Sequence, residues 1–105
     1  MGFIDGPVTD LDGVTATAIG SGIIVAGAPA TIVASAGTVT TGGTWLLQGS
    51  IDDGTTWVTI TTVAVTANGI SSAAAPAGWQ RVRTHLSVRT DGTYTTKIAR
   101  HQFGK

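Results

Sequence analysis

The sequence predicts an all-β fold: a single antiparallel β-sandwich or jelly-roll-like barrel with an extended N-terminal arm. Threonine, valine, isoleucine and tryptophan, which favour strands, recur along the chain. Glycine, Asn-Gly and Asp-Gly turn signals separate these runs about every 8 to 12 residues, a spacing typical of sandwiches and barrels. Helix signals are nearly absent. The chain is therefore expected to form its core from sheets alone.

The eight predicted strands lie between the turn signals, at residues 14–19, 22–26, 30–34, 44–50, 57–65, 69–73, 80–88 and 93–100. The first three are short runs of Val, Ile, Ala and Thr that glycines interrupt. The fourth and fifth flank the turn IDDG, and Asn68-Gly69 precedes the sixth. AAAPAG then forms a loop, and Asp91-Gly92 joins the last two strands as a tight hairpin.

The length indicates one domain, since 105 residues bury about two thirds of the surface that the unfolded chain exposes. Residues 1–13 are predicted to be the arm and residues 14–105 the β-sandwich. Without cysteine, neither disulfides nor thiolate metal sites support the core. The N-terminus carries an acid where a secretory signal would be positive, and no apolar run approaches about 18 residues. We therefore expect neither a signal nor a membrane segment.

The strand at residues 80–88 alternates in character, so its two faces differ. The face predicted to lie in the core holds Val82, Thr84, Leu86 and Val88. The other face holds Arg81, Arg83, His85, Ser87 and Arg89, and its three arginines are called the basic stripe below. Guanidinium groups spaced along one ridge suit carboxylates or carbonyls of a partner, while a solvated face is the simpler interpretation.

Charge is low and unevenly placed. Charged residues make up 11% of the chain, against about 25% in an ordinary domain, which favours a surface covered by neighbouring subunits. All six basic residues follow residue 80. Residues 81–105, which also include Asp91, carry a net charge of +5, whereas residues 1–80 carry −5. The opposite charges either pair within one subunit or join an acidic arm to the basic strand of another. The partner-binding candidates are Asp5, Asp10, Asp12, Arg81, Arg83 and Arg89.

The segment SIDDGTTW, residues 50–57, fits the pattern S-x-D-x-G-x-T-W and resembles the Asp-box of sialidases and related β-propellers. In those proteins the Asp-box is a peripheral folding element, which implies a structural turn at Ser50, Asp52, Gly54 and Trp57. A propeller needs at least four four-stranded blades, which a chain of this length cannot supply. The single Asp-box therefore predicts a hairpin and not a sialidase.

No catalytic or metal-binding residues are assigned. Adjacent carboxylates such as Asp52 and Asp53 tend to diverge at a turn, which does not suit a glycosidase pair, and a calcium site there is a minor alternative. His85 and His101 have no evident nucleophile or further zinc ligands. No cofactor is expected. Nucleic-acid binding is disfavoured because the net charge is zero and the basic strand lacks interleaved aromatic residues.

From residue 38 onward, the order LLQGSIDDGTTWVTI, VTANGI and GWQRVRTHLSVRTDGTYTTKIAR resembles small β-sandwich virion proteins of tailed bacteriophages. The resemblance implies a non-enzymatic structural protein of the virion. Within that class we expect a capsid decoration, or cement, protein on the outer surface of the head. Its partners would then be the major capsid protein and copies of itself, with a trimer as the expected oligomer.

Two alternatives belong to other classes. A glycan-binding or fibre module would use exposed aromatic rings, for which Trp45, Trp57, Trp79 and Tyr94 are the candidates, although core packing is the more common role of such rings. A tail or connector subunit would form rings by strand addition at exposed sheet edges.

Overall fold

The structure, a computed structural model, describes residues 3–4 and 7–102. These residues form ten strands and no helix. The strands are β1 (Phe3–Ile4), β2 (Val8–Val14), β3 (Ala18–Ile19), β4 (Ile23–Ile24), β5 (Ala30–Gly37), β6 (Gly43–Ser50), β7 (Val58–Val65), β8 (Gly69–Ala75), β9 (Arg81–Arg89) and β10 (Thr93–Gln102).

The strands form two antiparallel sheets. The first sheet has the order β1-β10-β5-β8, and β2 also pairs with β10; the second has the order β3-β9-β6-β7, and β4 also pairs with β9. Apart from the β6–β7 hairpin, successive strands from β4 to β10 alternate between the sheets. This connectivity is that of a jelly roll. The predicted all-β sandwich or jelly-roll-like barrel is therefore confirmed.

The core lies between the two sheets and draws on both. Its largest fully buried side chains include Trp45, Leu47 and Leu86 from the second sheet, and Tyr94 and Ile98 from the first. Each such side chain contributes about 1.5 to 3 kcal/mol by leaving water. The two largest also satisfy their polar atoms, since the Trp45 indole N–H donates to Ser71 Oγ at 3.1 Å and the Tyr94 hydroxyl donates to the Asp91 carbonyl at 2.9 Å.

A β-bulge changes the predicted faces of β9. Leu86 pairs with Trp45, but Val88 pairs with the adjacent Thr44, so Ser87 is an extra residue in β9. Beyond the bulge the alternation is inverted. The prediction that Val88 faces the core is wrong, because its side chain is 52% exposed. Val82, Thr84 and Leu86, which precede the bulge, are fully buried as predicted.

The predicted arm enters the sandwich from residue 8 onward. Residues 8–14 form β2, which pairs with β10 along its length. Leu11 is buried in the core, and its N–H donates to Thr96 Oγ1 at 3.0 Å. The segment is extended, but burial of Leu11 and pairing with β10 make it part of the domain, so residue 14 does not separate an arm from the sandwich. The strand predicted at 14–19 is reduced to β3.

Candidate functional site

The Asp-box turn closes the β6–β7 hairpin. Ser50 is fully buried; its hydroxyl donates to Asp52 Oδ1 at 2.8 Å and accepts the Gly54 N–H at 2.9 Å. Asp52 Oδ1 also accepts the Thr56 N–H at 2.8 Å. The Trp57 indole N–H donates to the Gly54 carbonyl at 2.9 Å. The four residues predicted for this turn are thus joined by hydrogen bonds.

Two residues of the turn have positive φ: Asp53 at 60° and Gly54 at 86°. Glycine adopts this conformation without a steric penalty, whereas for aspartate it is uncommon.

The hydrogen bonds of Asp52 also affect its acidity. The Thr56 backbone N–H, followed by the Ser50 hydroxyl, lowers the pKa of Asp52 below its ordinary value, so the carboxylate is ionised at neutral pH.

The turn is fastened to the start of β9. Asp53 Oδ1 accepts a bond from Arg81 Nε at 2.9 Å, and the Asp53 N–H donates to Gln80 Oε1 at 2.6 Å. The Arg81 and Asp53 side chains are 30% and 71% exposed, so solvent screens this ion pair and its contribution to stability is small. Arg81 therefore contacts its own chain at the Asp-box.

The second arginine of the basic stripe also contacts the hairpin. The Arg83 guanidinium lies 4.1 Å from the centroid of the Trp57 ring, and its Nε donates to Gln48 Oε1 at 2.8 Å. The cation–π contact and the hydrogen bond fix the guanidinium between a ring and an amide. Arg83 thus stabilises the hairpin that carries the Asp-box.

Arg89 is the last residue of β9, at the end opposite Arg81 and next to the β9–β10 turn. Its Nε and Nη2 both donate to the Gly92 carbonyl, at 3.0 and 2.9 Å. The structure therefore brings Arg81 and Arg83 to the Asp-box and separates Arg89 from them. All three arginines of the basic stripe have partners within the chain.

The acidic candidates differ in position. Asp10 Oδ1 accepts the Gly22 N–H at 2.7 Å, while Asp10 Oδ2 accepts the N–H and the hydroxyl of Thr84 at 2.7 and 2.6 Å. Asp12 is exposed. Asp5 lies outside the described residues. The Asp10 carboxylate thus binds neutral donors of its own subunit, whereas an acid–base pair within the subunit is formed by Asp53 and Arg81.

Two polar features of the structure were not predicted from the sequence. Asp91 accepts the backbone N–H groups of Thr40, Thr41 and Gly42 at 2.8 to 3.2 Å, which joins two loops at one end of the sandwich. Inside the core, the Thr84 and Thr96 hydroxyls are hydrogen-bonded to each other. The sequence contained one signal for the hydroxyl pair, because Thr84 occupies a predicted core position of β9. No local pattern pointed to the partners of Asp91, which lie about 50 residues away in the sequence.

The aromatic candidates for glycan binding have packing roles. Trp45 and Tyr94 are each 1% exposed. Trp57 is half-buried beneath Arg83. Trp79 packs against the core, with its ring so close to Gly49 that a β-carbon at that glycine would overlap it. Trp45 and Tyr94 therefore have no exposed face on which a sugar could stack, while Trp57 and Trp79 are only partly buried.

The described residues offer little for catalysis or metal binding. Asp52 and Asp53 bind different partners, so their carboxylates do not share a site. Within residues 7–102, no three His, Asp or Glu side chains are grouped to hold a metal ion. A shallow depression of about 200 Å³ at the β7–β8 corner is lined by residues 64–71, which include no ionisable side chain. The described part of the chain also lacks any helix able to cross a membrane.

Comparison with known proteins yields a fold relationship. No family model and no curated protein matches the sequence. The structure is similar to a chain from the work described as "Bacillus endospore appendages form a novel family of disulfide-linked pili", with a TM-score of 0.56 and 13% identity over 98% of this chain and 89% of that one. At this identity the similarity concerns the fold alone.

Proposed function

We propose that the protein is a non-enzymatic structural subunit that decorates the outer surface of a phage head, where it binds the major capsid protein and copies of itself. The virion resemblance of residues 38 onward supports the phage assignment. The jelly-roll fold supports a structural role, since this fold is used in viral capsid domains. Asp10, Asp52 and Asp53 all bind groups of their own chain, which supports a structural role for these side chains and not a catalytic one.

The observation that carries the proposal is the outer face of the first sheet. Its outward side chains on the paired strands β8, β5 and β10 are Ile70, Ser72, Ala74, Thr31, Val33, Ser35, Thr95, Lys97, Ala99 and His101. Lys97 and His101 are the ionisable members of this set. A broad face on which four apolar and four hydroxyl-bearing side chains accompany one lysine and one histidine carries little charge, which suits a surface that a partner covers.

A filament subunit is the second candidate. The chain shares its fold with a subunit of a bacterial endospore appendage described as a disulfide-linked pilus. The present 105 residues contain no cysteine, so contacts made through them would be non-covalent. Filament formation requires association of copies, whereas decoration requires a binding site on a phage head.

The test is binding to phage heads that lack the protein. We expect the purified protein to sediment with such heads, to saturate at a fixed number of copies, and to appear as repeated density in a cryo-electron reconstruction. Ser35→Glu, in the outer face of the first sheet, should weaken binding. Val88→Glu, an exposed position on the second sheet, should not. Absence of saturable binding by the folded parent protein would contradict decoration, and fibres in the same preparations would support the second candidate.

A further inference from the structure

Two edge strands of the sandwich carry no charge. Residues 54–80 form an uninterrupted stretch without Asp, Glu, Lys or Arg. This stretch contains β7 and β8, which end the strand order of the second and first sheets. Both strands flank the turn at residues 66–68 and lie next to each other. The two outermost strands on this side therefore form a charge-free edge.

β8 is the less protected of these two strands. Among the described strands it pairs with β5 alone, in regular register over all seven of its residues. Its free side consequently presents backbone N–H and C=O groups without a strand partner. β8 has the sequence GISSAAA, which contains no proline, and its pairing shows no bulge. Charge, proline and bulges are the usual means by which natural sheets prevent edge pairing.

The opposite side of the sandwich is protected. β2 carries Asp10 and Asp12, and its pairing with β10 contains two register shifts. In the second sheet the corresponding edge consists of β3 and β4, which have two residues each. Short, charged or irregular strands are poor templates for a further strand. The two sides therefore differ in their capacity for strand addition.

We propose that β8 pairs in antiparallel fashion with β8 of a second copy of this chain, joining their first sheets into one. This deepens the proposed function and rests on it, because association on the head would use this edge. A two-fold axis suits the strand, since the same patch serves both copies. With the axis at Ser72, Ile70 of each copy lies across from Ala74 of the other, and a large side chain meets a small one. Ile70 is 77% exposed in the single chain.

The size of the edge sets the strength of the contact. Seven residues of strand extend about 24 Å. A contact confined to one strand edge of this length covers only part of the roughly 800 Å² per partner that a stable complex of standard size buries. We therefore expect a weak dimer in solution. A high local concentration of copies on a particle surface would favour dimer formation.

The test compares two lysine substitutions at paired positions. Ser72→Lys places charge on β8, and in the proposed dimer it brings two lysines together. Val33→Lys is the matched control because Val33 pairs directly with Ser72, is 40% exposed and lies on the same outer face, but belongs to the inner strand β5. Sedimentation velocity over a concentration series measures the association of each protein, and thermal unfolding checks that each is folded.

For the parent we expect a concentration-dependent dimer, and slower hydrogen exchange in residues 69–75 as concentration rises. Ser72→Lys should raise the dissociation constant at least about tenfold, whereas Val33→Lys should change it less than about twofold. A larger effect of Val33→Lys would show that sheet faces stack, and would overturn edge pairing. A parent that stays monomeric with concentration-independent exchange would also overturn it, and this parent measurement decides the matter even if Ser72→Lys does not fold. Binding of monomers to heads would still support decoration of the head and would remove only the association of copies.

Discussion

Thr84 and Thr96 join the two sheets through a hydrogen bond between their Oγ1 atoms, 2.7 Å apart in the core. Both residues are almost fully buried, at 0% and 1% exposure. The Thr84 hydroxyl donates to Asp10 Oδ2, so the Thr96 hydroxyl must donate to Thr84, while Thr96 Oγ1 accepts the Leu11 N–H. The bonds run in one direction from the Leu11 amide to the carboxylate, an arrangement in which each bond polarises the next.

Thr84→Val should lower the free energy of unfolding by about 1 to 3 kcal/mol, because valine keeps the shape and leaves buried polar partners unsatisfied. Thr96→Val should have a similar effect, since it removes the acceptor of the Leu11 N–H. Urea unfolding measures both. Thr62→Val, at an exposed position of β7, is the control and should change stability by less than about 0.5 kcal/mol. Buried substitutions as mild as the control would contradict the role given to the hydroxyl pair.

Gly20→Ala should destabilise the fold by displacing Asp10. A β-carbon at Gly20 would overlap the Asp10 carboxylate, which has a fixed position between three donors. Loss of bonds to a charged acceptor costs about 1.5 to 3 kcal/mol each, so we expect a loss of at least about 2 kcal/mol. Gly37→Ala is the matched control, because its β-carbon would meet no atom within 4 Å and its φ is not positive. Equal melting temperatures for the two variants would contradict this account.

Acid should weaken the protein through Asp91 and Asp52. Backbone N–H groups, those of Thr41 and Gly42 foremost for Asp91 and that of Thr56 for Asp52, hold both pKa values below the ordinary 3.8. Because the folded pKa is depressed, this stabilisation is complete above about pH 5 and declines as pH falls through 3.8 towards the folded values. Unfolding midpoints between neutral and acidic pH measure the decline, and Asp91→Asn should make it shallower. An NMR titration that placed either carboxyl above 3.8 would refute the assignment.

Arg83→Lys should weaken the Asp-box hairpin although it preserves the charge. Lysine has no planar group that could stack on Trp57 while it donates to Gln48, as the arginine guanidinium does. We therefore expect the free energy of unfolding to fall by about 0.5 to 1 kcal/mol. Trp57 fluorescence should change with it. Arg81→Lys, which can keep an exposed ion pair with Asp53, is the control and should cost less than about 0.5 kcal/mol. Identical effects of the two substitutions would show that the ring contact contributes nothing.

The strand pattern was predictable because it depends on local chemistry. Gly, Asn-Gly and Asp-Gly are strong turn signals, so the strands from residue 30 onward begin within one residue of their predicted positions. The bulge at Ser87 was not predictable, since period-two alternation contains no signal for an inserted residue. Val88 was misplaced for that reason, while Leu86, two residues earlier, was placed correctly.

The candidate site was predictable only where its contacts are local. Ser50, Asp52, Gly54 and Trp57 bond within eight residues of one another, and a pattern match finds them. By contrast, the Asp10 carboxylate reaches Thr84, 74 residues away, so its role depends on how the sheets pack. The sequence showed charges that could pair, but which carboxylate meets which donor is decided by the fold.

The position of β10 between β5 and β2 has a consequence for how the chain folds. The Leu11 N–H bonds to Thr96, 85 residues later, so the whole segment from β2 to β10 must leave the ribosome before the first sheet can close. Jelly rolls concentrate such distant pairings, and closing long loops before any contact repays them makes folding slow, on a scale of milliseconds to seconds. Before β10 pairs with β5, both strands of a β5–β8 pair would have a side without a strand partner, so pairing between nascent copies would compete with folding.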